Sequence, residues 1–219
     1  MAFEGFSKDS FEFFAELEVN NNKAWWEANK ARYETSVRAP LLSLLEDIAA
    51  EFGVAKVYRP YRDTRFSLDK TPYKDRAAAA VFGKSATGFY VEVSARGLDL
   101  GGGYWHPGKD QIDRFRTLVD DVRYFGDLEA TVEEMEEAGF GIYQADALKT
   151  APRGFSADHP RINLLRLKHM VIERMEAPAE WMYQPSAASV IAERWRTVGI
   201  WNDWLVENLG PSTEPPKPR

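Results

Sequence analysis

The chain of 219 residues contains no cysteine, which excludes a disulfide scaffold and any thiolate metal site. It has only three histidines, His106, His159 and His169, none of them four residues from another, and no His-Glu-x-x-His pattern. No metal is therefore expected. No stretch of about 18 consecutive apolar residues occurs, so no membrane-spanning helix is expected. The opening Met-Ala-Phe-Glu-Gly-Phe-Ser-Lys-Asp lacks the basic start and apolar run of a signal peptide, and a cytoplasmic location is the expectation by elimination. A Gly-x-Ser-x-Gly nucleophile elbow is missing, and Gly101-Gly102-Gly103 fits neither the dinucleotide nor the P-loop pattern, so no cofactor is expected. Positive charge is also scarce. With 28 Lys+Arg against 34 Asp+Glu the net charge is −6, which weighs against a protein that coats nucleic acid.

What is present is a chain able to build a core, with 44% hydrophobic and 13% aromatic residues. Ser7 reads as a helix cap ahead of Phe11, Phe14 and Leu17, and Asn20-Asn21-Asn22 as a break that caps the next helix. Apolar positions at helical spacing run from Trp26 to Phe52, with an interruption at Pro40 and a stop at Gly53. Alternation then takes over. Ala77 to Phe82 and Phe89 to Ser94 predict strands, the second half-buried, and Ala95-Arg96-Gly97 a hairpin into a third strand near Leu98. A helix is predicted over 109–122, a solvated acidic helix over 127–137, a strand over 170–175 and a closing helix over 186–208. The order predicts a single α+β domain over 1–209, its antiparallel sheet packed against N-terminal and C-terminal helices. Four prolines in residues 210–219 predict a disordered tail.

Residues 56–76 break the pattern. They hold seven basic residues (Lys56, Arg59, Arg62, Arg65, Lys70, Lys74, Arg76) and three acidic ones (Asp63, Asp69, Asp75), a net +4 that leaves −10 for the rest of the chain. If the segment is extended, Phe66 and Leu68 face the core, while Arg65, Ser67 and Asp69 share the opposite surface. Guanidinium forks and ammonium groups so placed suit phosphate or carboxylate oxygens. The competing reading is an ion-pair network, Arg62 with Asp63 and Lys70 with Asp69, of the kind that contributes only ~0–1 kcal/mol when exposed.

Three strings carry a resemblance: Asn21-Asn22-Lys23-Ala24-Trp25-Trp26-Glu27-Ala28-Asn29-Lys30, the run from Arg62-Asp63-Thr64-Arg65 through Phe66-Ser67-Leu68-Asp69 to Lys70-Thr71-Pro72-Tyr73-Lys74, and Ala151-Pro152-Arg153-Gly154-Phe155 with Asp158-His159-Pro160. Together they resemble the domain of unknown function 2461 family of conserved hypothetical bacterial proteins, from about Phe3 to the closing helix. Trp26 stands where that family usually has Phe. The resemblance implies one architecture for the three strings and supplies no activity, cofactor or catalytic residue.

Lys149, Arg153, Asp158 and His159 form a second polar loop, in which His159 could exchange a proton near neutrality or simply pack where Asp158 caps a short helix. The functional expectation is a protein, with or without catalysis, that binds a small anion bearing phosphate or carboxylate. Arg62, Arg65, Ser67, Lys70, Lys74 and Arg153 are the candidate ligand-binding residues, and Asp63, Asp69 and His159 the candidate acid–base groups. The alternative is a nucleic-acid or protein interaction module using the same basic stretch with exposed aromatics; the acidic remainder makes a nucleic-acid partner the weaker expectation. Whether a reaction is catalysed, and the oligomeric state, stay open.

Overall fold

A computed structural model describes residues 2–65, 68–83 and 87–214. Its helices are α1 (Lys8–Val19), α2 (Lys23–Tyr33), α3 (Ala39–Phe52), α4 (Lys109–Asp120), α5 (Val122–Glu137), α6 (Ile162–Leu165) and α7 (Ala187–Leu209). Its strands are β1 (Lys56–Val57), β2 (Arg76–Phe82), β3 (Gly88–Ser94), β4 (Gly97–Tyr104), β5 (Gly141–Ile142) and β6 (Met170–Glu176). They form one antiparallel sheet in the order β1-β2-β3-β4-β6-β5, an α+β architecture. Two compact units are distinguished: residues 1–82, 89–100 and 175–195, and residues 83–88, 101–174 and 196–219.

In the first unit, local chemistry sets the helix ends. The Ser7 N–H donates to Ser10 Oγ at 3.0 Å at the start of α1, and Asn22 Oδ1 accepts from the Trp25 N–H at 3.1 Å at the start of α2. Gly53, at φ +99°, ends α3. Pro40 acts as expected: the helix is remade around it, with a π-helical turn over Glu34–Arg38 before α3. Proline has no N–H for the carbonyl four residues back, that of Ser36, and this oxygen instead accepts from the buried Ser10 hydroxyl at 2.6 Å. Phe14, Trp26, Leu44, Val91, Leu98 and Trp195 anchor a core drawn from α1 to α3, β2 to β4 and the start of α7. One strand differs from its expected half-burial. On β3 the face carrying Glu92 and Ser94 is buried as well as that of Val91 and Val93, because Glu92 is satisfied from within: the Tyr90 hydroxyl donates to its carboxylate at 2.6 Å and Arg76 pairs with it at 3.1 Å.

In the second unit, Gly101 and Gly103 let backbone approach backbone. A Cβ on Gly101 would lie 2.3 Å from the Ile172 carbonyl oxygen, and one on Gly103 (φ +130°) 1.9 Å from that of Met170. The acidic helix α5 buries only Leu128 and Met135 among its residues, and Asp127 accepts from the Trp204 indole N–H at 3.1 Å. Residues 210–214, expected in the disordered tail, are instead tied to α4. Gly210 O accepts from Gln111 Nε2 at 2.7 Å, and Asp110 accepts from Ser212 Oγ at 2.6 Å and Thr213 N at 2.8 Å. Residues 215–219 lie outside the described residues. Among the described residues no helix is long and apolar enough to cross a membrane.

Candidate functional site

Between β1 and β2 the described residues of the basic segment form a loop closed at its base, not a strand. Pro60 and Pro72 lack backbone donors, and two aspartates fold the chain back locally: Asp63 Oδ1 accepts from Arg65 N at 3.2 Å and Asp69 Oδ1 from Thr71 N at 2.9 Å. These side-chain turns replace the ladder that a strand would need. Leu68, expected to face the core, is 102% exposed, while Phe66 and Ser67 lie outside the described residues. At the base of the loop, Arg62 N donates to Pro72 O (2.9 Å), Lys74 N donates to Pro60 O (2.8 Å), and Tyr61 and Tyr73 form an antiparallel bridge.

Asn21 holds this base to the helices. Its carboxamide donates to Tyr73 O at 2.9 Å and accepts from Tyr73 N at 3.1 Å, reproducing with one side chain the two bonds of a strand neighbour. Trp26, in the same Asn-Asn-Lys string, stacks on the Tyr73 ring at 4.2 Å and 10°. Two of the three strings behind the family resemblance thus meet at Tyr73.

Within the loop most of the expected anion clamp is already answered. Arg62 pairs with Asp69 at 2.6 Å and more distantly with Asp75 at 3.7 Å. Arg65 forks onto Asp63 through Nε at 3.0 Å and Nη2 at 2.7 Å, and Lys70 donates to Thr64 O at 2.9 Å. The partners differ from the expected Arg62–Asp63 and Lys70–Asp69 pairs, but the chemistry is that of an ion-pair network. The Arg65 side chain, then its backbone N–H, holds the Asp63 carboxyl down at about 2. Asp69 is also held below its ordinary value, first by the Thr71 N–H and hydroxyl, with Arg62 contributing less. Both carboxylates are therefore fixed acceptors, not proton donors.

Beside the loop base lies a cleft of about 180 Å³ lined by Tyr58, Arg59, Lys74, Arg76, Ala78 and Tyr90, all in the first unit. Three of these six residues are cations and none is a carboxylate. Lys74 Nζ lies 5.5 Å from the centre of the Tyr58 ring. Neither Lys74 nor Arg59 forms an ion pair with a carboxylate among the described residues, although the Arg59 charge acts on Asp63 as a minor cause of its lowered pKa. Burial, followed by the charges of Arg76, Arg59 and Arg62, lowers the Lys74 pKa. Arg76 differs: burial opposes its charge, but Glu92 and Asp75 (Nη1 to Oδ1, 3.0 Å) outweigh burial and raise its pKa. Burial, then Glu92, pushes the Tyr90 phenol far up, so Tyr90 stays neutral and serves as the donor to Glu92. The cleft thus offers cationic donors between aromatic walls, with neither a phenolate nor a lining carboxylate to act as a base.

Of the expected site residues that are described, Lys74 alone lines this cleft. The signal that could have found Arg59 and Arg76 was their membership of the +4 segment; what the sequence does not carry is which cations lose their partners on folding. Tyr58 and Tyr90 gave no such signal.

Arg153 and His159 belong to the second unit. Arg153 is exposed in its loop. His159 Nδ1 accepts from Arg161 N at 3.0 Å on the approach to α6, and its Nε2 meets Asp120 Oδ1 at 3.1 Å at the end of α4, so both ring nitrogens are engaged. Among the described residues no side chain caps α6; His159 instead bonds the N–H of Arg161, the residue just before the helix, and the expected cap by Asp158 is not formed. A second histidine, passed over in the sequence, sits in a polar cluster. His169 stacks on Trp105 at 4.8 Å, meets Asp146 Oδ2 through Nε2 at 2.9 Å, and approaches the Trp105 carbonyl through Nδ1. These residues are 23 and 64 positions away from His169, too far apart for any spacing rule to link them. No group of three or more histidines and carboxylates able to hold a metal occurs among the described residues.

The model of a family described as conserved hypothetical protein, DUF2461, matches residues 9–204, which covers the Asn21 and Tyr73 strings and the Arg153–His159 loop. The chain belongs to this family. No curated protein and no solved structure matches it.

Proposed function

We propose that the protein binds a small anion in the cleft formed by Tyr58, Arg59, Lys74, Arg76 and Tyr90. The observation that carries this reading is the pair of cations, Arg59 and Lys74, with no direct carboxylate ion pair among the described residues, in a concavity shared with Arg76, although the adjoining loop satisfies its own arginines. A like-charged group held against its neighbours weakens the free protein and is relieved when an anion enters. Sheltered charge-assisted hydrogen bonds contribute ~1.5–3 kcal/mol each, enough for two or three to retain a small ion. The volume sets the scale of the guest. At about 180 Å³ the cleft is below the ~300 Å³ at which pockets for drug-sized ligands begin, so it suits one charged group and not a whole nucleotide.

Inorganic phosphate tests the reading. At about 100 times its dissociation constant it contributes ~2.7 kcal/mol, a rise of roughly 5–10 °C in Tm for a chain of this size. The rise is expected to vanish in Arg59→Ala and Lys74→Met and to survive in Arg65→Ala, whose arginine is paired within the loop. A shift retained in both cleft variants contradicts the assignment.

A further inference from the structure

We propose that the anion is the dianion of a terminal phosphate monoester, an inference that rests on reading the cleft as an anion site. Charge is the first ground. Arg59 and Lys74 each lack a direct ion pair with a carboxylate among the described residues, Arg59 acting on Asp63 only from a distance, whereas Arg76 has Nε engaged by Glu92 and Nη1 by Asp75. A carboxylate or sulfate ester brings one negative charge and leaves one of the two free cations unanswered. A phosphate monoester above its second pKa of about 6 brings two.

Shape is the second ground. The three cations come from separate points of the chain: Arg59 follows β1, Lys74 closes the loop and Arg76 opens β2. A carboxylate has two coplanar oxygens, which one guanidinium fork can occupy in full. A phosphoryl group points three oxygens in three directions and so uses three donors spread around it. Size and surroundings are the third ground. The volume of about 180 Å³ suits one charged group, flanked by the rings of Tyr58 and Tyr90 and by Ala78. A phosphodiester, singly charged and substituted on both sides, matches neither the charge nor the small volume. The rest of the ligand then extends outward from the cleft mouth.

Isothermal titration of the full chain with methyl phosphate, methyl sulfate, dimethyl phosphate and acetate, each at about pH 5 and about pH 7.5, tests the inference. Methyl phosphate is expected to bind most tightly at the higher pH, and its affinity to rise about tenfold between the two as the dianion fraction grows across the second pKa of about 6. Methyl sulfate, a monoanion throughout, is expected to show no such rise. Methyl sulfate or acetate matching methyl phosphate at about pH 7.5, or a methyl phosphate affinity indifferent to pH, overturns the dianion while leaving the anion site in place. No binding of any of the four, or binding unaffected by Arg59→Ala, overturns the site itself and the dianion with it.

Discussion

Lys74 is placed where its charge is least welcome: partly buried, above a tyrosine ring, with Arg59, Arg62 and Arg76 around it. Because its pKa is lowered from 10.5, the folded chain holds this proton less tightly than the unfolded chain does. The cost to stability is present while Lys74 is charged and disappears once the pH has risen past 10.5. An ion-paired lysine would behave in the opposite way. Lys74→Met is therefore expected to leave the free protein within about 0.5 kcal/mol of its original stability, or above it, while losing the response to phosphate. Phosphate affinity in the unaltered chain is expected to decline with rising pH from below 10.5, and Lys74→Arg to carry binding to higher pH, since a guanidinium keeps its proton. Titrations across the alkaline range check both; a pH profile unchanged by Lys74→Arg contradicts the role. At this scale the sequence singles out the basic segment and, within it, Lys74, which lines the cleft proposed as the site. It could not separate paired from unpaired cations, because Arg62 finds Asp69 seven positions away through a turn, and Arg76 finds Glu92 across the sheet.

At the scale of elements, helix ends were legible wherever one residue sets them: Ser7, Asn22, Pro40 and Gly53 each act through their own backbone or side chain. β1 and β5 were not, since two residues show no period. The extended form considered for the loop is not adopted at Asp63 and Asp69 for a physical reason: alternating polar and apolar types satisfy the strand pattern, but both aspartates bond the backbone two residues ahead. Nor does sequence show that Asn21 reaches Tyr73, 52 residues away. Asn21→Ala removes both bonds to the Tyr73 backbone and is expected to destabilise the chain by ~1–3 kcal/mol. It is also expected to weaken phosphate binding, because Lys74 follows Tyr73 directly. Denaturant unfolding with a parallel phosphate titration measures both, and an unchanged affinity would show that the loop base holds its shape without the clamp.

For the molecule as a whole, the α+β class and its antiparallel strands followed from the order of patterns, whereas the placing of β6 between β4 and β5 did not, because 65 residues separate the end of β4 from the start of β6. Charge is distributed to the same effect at both ends of the pH scale. Arg32 pairs with Asp9 at 2.6 Å and Glu16 at 2.8 Å and is the leading cause of the lowered pKa of each. Depressed carboxyl pKa values give stability that is present above the ordinary values of 3.8 and 4.5 and is lost as pH falls below them. Arg32→Met is expected to destabilise the chain by about 1 kcal/mol or less above about pH 6, since the pairs are partly exposed, and the deficit to shrink as the pH falls below 3.8 and the carboxylates protonate; unfolding midpoints from neutral to acid pH read it. The central claim is tested most directly by calorimetric titration of inorganic phosphate into the full chain and into Arg59→Ala/Lys74→Met. One saturable site in the unaltered chain and none in the double variant is the predicted result. Equal binding by both, or by neither, contradicts it.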